Sequence, residues 1–187
     1  MHSFDALVDE LADTRIGDTF NFYRDGDGAF RRRERLSEYL ASRADAPLLL
    51  VGEAAGYRGA RVSGIPFTSE RQLTGAGPTE PTATIVRRVL ADLELEERVL
   101  CWNVVPTHPH RPGEPQSNRR PTRAEIAAAR PFLEALARGR RVVAVGRLAQ
   151  AVVGGPYVRH PSHGGASAFR AGLVHFAAGG QESAAFL

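Results

Sequence analysis

The stretch Leu48–Glu70, LLLVGEAAGYRGARVSGIPFTSE, decides the fold. It opens on four apolar residues, Leu48-Leu49-Leu50-Val51, with no polar residue alternating between them. A strand with one wet face alternates. A strand covered on both faces does not, so this run reads as an interior strand of a sheet. The run breaks at Gly52-Glu53-Ala54-Ala55-Gly56, where small side chains let a ligand approach the backbone. Its one carboxylate, Glu53, falls at the carboxyl end of the strand, the end at which open α/β sheets bind ligands. Gly64-Ile65-Pro66-Phe67 then presents an aromatic ring from a constrained loop. A small-residue turn, an acid and a ring suit a pocket for a flat ligand. A plain strand-to-loop turn with a solvated Glu53 has the same local pattern.

Upstream, residues 1–30 combine a short amphipathic stretch (Phe4, Leu7, Val8, Leu11) with a loop rich in Asp and Gly. The spacing of Leu36, Tyr39 and Leu40 predicts a helix over 29–43, and Pro47 ends that segment. Downstream, Pro81 opens a helix at its first turn after Glu80, with Ile85, Val86, Val89, Leu90 and Leu93 inward. Val99–Val105, VLCWNVV, is a second buried strand with Asn103 near its carboxyl end. Thr122 and Glu125 form a capping box before a helix striped by Ile126, Ala129, Phe132, Leu133 and Leu136. Val142–Val145 is a third strand, followed by a short helix at Leu148–Val153 and a fourth short strand at Tyr157-Val158-Arg159. Ala166–Leu173 reads as a last helix or turn, and Val174-His175-Phe176 as an edge strand or a fraying end. Strands alternating with helices imply a parallel sheet with helices on both faces. No repeat or linker divides residues 1–187, so a single domain is expected, with 1–30 as an N-terminal extension.

Composition narrows the class. Hydrophobic content of 43% and charged content of 24% suit a soluble globular chain with a full core. Cys101 is the single cysteine, which rules out an internal disulfide or a cysteine-built metal or iron–sulfur site within the chain. The N-terminal sequence is unlike a signal peptide, and no apolar run approaches the roughly 20 residues of a membrane span. A reduced, cytoplasmic (nucleoid-associated) protein with no membrane partner is expected. All 24 basic residues are arginine. With no lysine, covalent imine chemistry is left only the N-terminal amine. The net charge of +3 is compatible with a polyanionic partner.

Three strand ends carry polar groups: Glu53, Asn103 and His160. In a parallel sheet these ends lie on one edge, so an acid, an amide and an imidazole face one crevice with Phe67 nearby. A buried Glu orients water or stabilises a cation. An Asn amide offers one acceptor and two donors, enough to read the edge of a base. A His donates to an oxygen on which negative charge develops, and an aromatic ring stacks on a base. Together they suit cleavage of an N-glycosidic bond, in which the sugar becomes cation-like and the base leaves as an anion. Each residue also has a structural alternative: Glu53 as a cap or loop residue, Asn103 satisfying loop backbone, Phe67 as core. His160, like His2, His108, His110, His163 and His175, can be a purely structural histidine. His108-Pro109-His110 with Glu114 is a competing zinc pattern, although prolines at that density suit a rigid loop better. Asp25-Gly26-Asp27-Gly28 matches a fragment of a calcium loop but lacks the later ligands.

At these residues, over roughly 47–175, the chain resembles the uracil-DNA glycosylase superfamily, nearest the group with a Gly-Glu-Ala-Pro-Gly motif. Gly52-Glu53-Ala54-Ala55-Gly56 matches that motif with Ala55 in place of proline, and Gly64–Phe67 matches the segment whose Phe stacks on the flipped base. Asn103-Val104-Val105 and Asn118-Arg119-Arg120-Pro121 resemble the base-reading segment and the motif beyond it. Val145–Ala149 resembles the late strand–helix turn, and His160-Pro161-Ser162 the last motif. The resemblance implies a three-layer α/β/α sandwich with a central, mainly parallel four-stranded sheet. It implies a monomeric, monofunctional DNA repair glycosylase that removes uracil, or another deaminated base, without metal or cofactor.

The roles it carries over are specific. Glu53 positions the water and stabilises the sugar cation, and His160 bonds the leaving base anion. Phe67 stacks, Asn103 pairs, and Gly52 and Ala54 line the base site. Ser162, His163, Arg170 and Arg119 contact DNA as the nucleotide flips out of the stack. Three departures stand out. The nearest group typically binds a four-cysteine iron–sulfur cluster, for which this chain lacks the cysteines. Tyr57-Arg58-Gly59-Ala60-Arg61 replaces the acids that often follow the first motif, and His163–Phe169 lacks a leucine wedge. A non-hydrolysing nucleic-acid or base-binding protein on the same fold, and a nucleoside hydrolase, are the alternatives.

Overall fold

The structure, a computed structural model, describes residues 4–177. Met1 with its amine, and His2, lie outside the described residues. Four strands, β1 (Leu48–Ala54), β2 (Val99–Val105), β3 (Arg141–Val145) and β4 (Tyr157–Val158), form one all-parallel sheet in the order β2-β1-β3-β4. Every residue of β2 and the first five of β1 are buried, which explains why neither run alternates. Helices surround the sheet: α1 (Phe4–Asp13), α2 (Ala29–Ala41), α3 (Ala60–Ser63), α4 (Glu70–Thr74), α5 (Pro81–Asp92), α6 (Arg123–Ala137), α7 (Arg147–Val153) and α8 (Ala166–Ala177). This is the three-layer α/β fold expected from the sequence.

Local chemistry sets the helix ends. Pro81 stands at the first position of α5, where its missing N–H removes no helical bond. The α6 capping box is complete. Glu125 N–H donates to Thr122 Oγ1 at 3.2 Å and Thr122 N–H donates to Glu125 Oε2 at 2.8 Å. Helix α2 stops at Ala41, two residues short of the predicted range. The short helices α3 and α4 lack the length for a readable periodicity.

One expectation needs correcting. Val174-His175-Phe176 is not an edge strand but the last turn of α8, which carries the alanine-rich chain through to Ala177. Phe169 and Leu173 are buried while Ala171 between them is exposed, a helical rather than a strand pattern. The fourth strand is also shorter than expected, with Arg159 beyond its end.

Residues 4–30 join the same core. Val8, Leu11, Phe22 and Tyr23 are buried with the sheet residues. Asn21 Nδ2 donates to the α1 carbonyls of Leu11 (2.8 Å) and Ala12 (3.2 Å), tying off that helix. Phe20 and His108 form an isolated antiparallel bridge, which fixes the long loop after β2.

Candidate active site

The register sets the height of each functional group. Gly52 is level with Asn103 across β1 and β2, and Val51 is level with Ala144 across β1 and β3. Val145 is in turn level with Val158 of β4. Glu53 therefore stands one residue above the Gly52–Asn103 row, at the end of β1, and His160 follows β4 on the same edge. The acid, amide and imidazole named from sequence do share one rim.

Gly52 is where the Asn103 amide and the Phe67 ring meet. A β-carbon there would overlap the Phe67 ring and lie 2.7 Å from Asn103 Oδ1, so ring and amide both lie over the bare glycine. Phe67 holds φ 52°, a left-handed conformation rare outside glycine and asparagine. The loop that enforces it is densely bonded. Ser63 Oγ donates to Thr68 O at 2.6 Å and receives Ile65 N–H at 3.1 Å, while Tyr23 Oη donates to Gly64 O at 2.9 Å. Arg35 adds a bond to Ser63 O at 3.2 Å and a two-point pair with Glu70 at 2.8 and 3.0 Å. Phe67 and Asn103 are both more than nine-tenths buried, so ring and amide are fixed in advance.

Glu53 is half-buried at the strand end. Burial pushes its pKa above the ordinary 4.5, and the charge of Arg120 pulls against that shift. His160 lies over Gly146, whose hypothetical β-carbon would be 3.4 Å from His160 Cβ. Its ring is oriented by the next turn. Ser162 N–H donates to His160 Nδ1 at 3.2 Å, so Nδ1 carries no proton, and Ser162 Oγ lies 2.8 Å from the same nitrogen. The hydroxyl therefore donates to His160 and accepts from His163 Nδ1 at 3.0 Å. The proton of neutral His160 is left on Nε2. Burial lowers the His160 pKa, His163 lowers it further, and both favour this neutral donor form.

The remaining sequence candidates separate. Ala54 is half-buried at the end of β1. His163, at φ 52°, and Arg170 are exposed. The stretch read as an intercalating loop is shorter than expected, because Ala166–Phe169 belongs to α8 and Phe169 is core. Arg119, expected at DNA, turns inward. Its guanidinium takes Glu125 in two bonds of 2.8 and 2.5 Å, and its Nε donates to His110 O at 2.8 Å. Burial alone would raise the Glu125 pKa, but these bonds and the Thr122 N–H outweigh it and hold the carboxyl below its ordinary value. His108 donates from Nδ1 to Ala55 O at 2.9 Å, and Glu114 pairs with Arg111, so the zinc pattern is occupied otherwise. Among the described residues no cluster of three or more His, Cys, Asp or Glu is placed to hold a metal.

Sequence reasoning named three further residues but missed their contacts. Asn118 Oδ1 accepts Tyr57 N–H at 3.0 Å, pinning the turn after Glu53 to the loop after β2. Arg120, not Arg119, reaches Glu53 electrostatically. Glu80, just before α5, pushes its carboxylate into the space that β-carbons on Gly56 and Gly59 would occupy. Its N–H donates to Ser69 Oγ at 2.9 Å, so the Glu53 turn and the Phe67 loop share one anchor. The paired glycines were a readable signal for close approach, but not for what approaches.

No curated protein sequence matches the chain. The crystal structure of wild-type SMUG2 from Pedobacter heparinus superposes with a TM-score of 0.67 at 13% identity, covering 95% of this chain and 97% of that one, a likeness of fold. Residues 40–178 match the family model of the Uracil DNA glycosylase superfamily. The chain belongs to the uracil DNA glycosylase superfamily, a family of DNA-acting glycosylases.

Proposed function

We propose that this protein is a monofunctional uracil-DNA glycosylase, which hydrolyses the bond between deoxyribose C1′ and the base and leaves an abasic site. The observation that carries the reading is the convergence of Phe67 and Asn103 on Gly52, with Glu53 and His160 on the same sheet edge. A flat base fits against the Phe67 ring with its polar edge toward the Asn103 amide. His160 Nε2–H donates to the base oxygen that becomes negative as the bond breaks. A neutral donor suits an anion that departs at neutral pH. Glu53, ionised, faces the cationic sugar carbon and accepts a hydrogen bond from the attacking water. Water oxygen bonds to C1′, the C1′–N bond breaks, and the water proton passes to the carboxylate while the electron pair leaves with the base. The reading requires neither metal nor cofactor.

Tyr57 follows Gly56 directly, and its ring is braced by Arg61 (4.9 Å) and His108 (6.2 Å). It is the residue we assign to excluding thymine's methyl group. The test is alkaline cleavage of oligonucleotides carrying uracil, single-stranded or opposite G or A. Strand scission at uracil that disappears in Glu53→Gln supports the assignment. Scission only at hypoxanthine or xanthine would move it to another deaminated base. No scission on any of these substrates, with binding retained, would leave a base-binding protein.

A further inference from the structure

The turn that carries His160 holds a second histidine, which the proposed reaction does not use. His163 is exposed and sits at φ 52°, a left-handed conformation. Such backbone suits glycine, and Gly164 (φ 73°) stands next to it. The turn has little room to relax. A β-carbon on Gly165 would overlap His160 O and lie 3.0 Å from Ser162 O, and Gly165 N–H donates to Ser162 O at 3.0 Å. Arg159 Nη2 reaches His163 O at 3.5 Å. A bulky side chain held where glycine is favoured points to a role for that side chain.

The His163 ring meets Ser162 Oγ, which lies 3.0 Å from His163 Nδ1 and 2.8 Å from His160 Nδ1. A hydroxyl has one hydrogen to donate. Ser162 N–H already donates to His160 Nδ1 at 3.2 Å, so that nitrogen carries a lone pair and the hydroxyl hydrogen belongs on it. Ser162 Oγ can then only accept from His163, whose Nδ1 must carry hydrogen. If His163 held its proton on Nε2 instead, its Nδ1 lone pair would compete for the same hydroxyl hydrogen. A hydroxyl turned toward His163 presents a lone pair to His160 Nδ1. That favours a proton on Nδ1 and removes the one on Nε2. Burial lowers the His160 pKa and His163 lowers it further, which keeps a second proton off the ring.

We infer that His163, acting through the Ser162 hydroxyl, is a positioning residue that holds His160 in its Nε2–H tautomer. The inference rests on the glycosylase reading for the use of that tautomer, and deepens it. The donor to the leaving base is set by two hydrogen bonds in series, the first of them from an exposed ring. His163 thereby has a task within the turn in place of the DNA contact expected from sequence.

The test uses the full chain with two substitutions. His163→Gly removes the ring and relieves the left-handed backbone. His163→Asn tolerates that backbone and supplies an amide N–H to Ser162 Oγ. Nitrogen-15 NMR of the His160 ring distinguishes the tautomers without any substrate. Wild type should show hydrogen on Nε2 and a bare Nδ1. His163→Gly should move part of the population to Nδ1–H, and His163→Asn should restore the wild-type signature. In uracil excision, His163→Gly should lower kcat roughly tenfold with KM unchanged, against about 10²–10⁴-fold for losing the donor itself. Its Tm should not fall, since glycine is at ease at this φ. In a Ser162→Ala background, His163→Gly should cause no further loss, because the connecting hydroxyl is gone. A wild-type ring signature in His163→Gly would overturn the inference, as would a kcat loss that persists in the Ser162→Ala background. A raised KM with unchanged kcat and ring signature would return His163 to a DNA contact. A tautomer shift in a protein that excises no deaminated base would preserve the inference and defeat the glycosylase reading.

Discussion

Gly52 and Phe67 are in such close contact that no other residue fits at position 52 without moving the ring. The loop carrying Phe67 cannot easily yield, because Ser63, Tyr23 and Arg35 hold it from within the core. Gly52→Ala should therefore displace the ring or tilt Asn103. A displacement near 1 Å at a binding site costs about 10²-fold in kcat/KM, while overpacking lowers stability by about 1–3 kcal/mol. Steady-state kinetics and denaturant unfolding of this variant should show a catalytic loss much larger than the folding loss. A fully active Gly52→Ala would show that the ring is merely core.

Glu53 should make the protein less stable than it could be. Its folded pKa is raised above 4.5 by burial, so the folded state binds the proton more tightly than the unfolded state. Below pH 4.5 both states are protonated and the group has no net effect. As pH rises through the raised value, ionisation within the half-buried site costs stability. Glu53→Gln removes that cost, so its Tm should exceed the wild-type Tm at pH 7 and converge with it below about pH 4.5. A Tm gain at neutral pH accompanied by loss of cleavage would mark Glu53 as a residue kept for function. Equal Tm values at every pH would contradict the burial argument.

Acid should silence the enzyme from two directions. His160 must be neutral at Nδ1, and its folded pKa lies below the ordinary 6.5. Glu53 must be ionised, and its folded pKa lies above 4.5. Activity should fall on acidification, as Glu53 takes up a proton at a pH above 4.5 and His160 at a pH below 6.5. His160→Ala should lower kcat by about 10²–10⁴-fold. Ser162→Ala should have a smaller effect, since it removes the orienting hydroxyl but keeps the Ser162 N–H on Nδ1. A Ser162→Ala profile whose acid limb moves, with KM unchanged, would identify the hydroxyl as an orienting group.

The sheet was legible because a buried parallel strand leaves a simple trace: apolar runs at 48–51 and 142–145, each ending at a glycine, and the run 99–105, broken only by Asn103 near its end. Glu53, Asn103 and His160 could be read because strand ends in a parallel sheet must share an edge. Contacts between distant segments could not. That Glu80 would fill the space over Gly56 and Gly59, or that Arg119 would turn inward to Glu125, depends on how loops close around the sheet. The α2 arginines show the same limit. Arg32 Nε donates to Phe22 O at 2.6 Å and Arg33 to Tyr23 O at 2.7 Å, binding the N-terminal loop to the core, and no local pattern in the sequence names those acceptors. The left-handed Phe67 was also out of reach, because neighbours rather than local preference impose it.

The pair Arg119–Glu125 gives Arg119 a structural role within the fold. Glu125 is 2% exposed and takes both Arg119 and the Thr122 N–H, so it closes the loop after β2 and caps α6 at once. Removing one member of such a pair leaves the other charge uncompensated, at a cost of about 3–5 kcal/mol. Both Arg119→Ala and Glu125→Ala should lower Tm by roughly 10 °C, at about 2–4 °C per kcal/mol for a chain of this size. The Glu125 pKa is held below 4.5, so its contribution is complete above that pH and disappears as pH falls through the lowered value. The Tm gap to wild type should therefore narrow on acidification below about pH 4.5. Asn118→Ala, which frees only the Tyr57 N–H, should cost about 1 kcal/mol. It should reduce cleavage more than stability, because the turn it releases carries Glu53. An Arg119→Ala protein with unchanged Tm and a weakened salt dependence of DNA binding would return this arginine to the nucleic-acid surface.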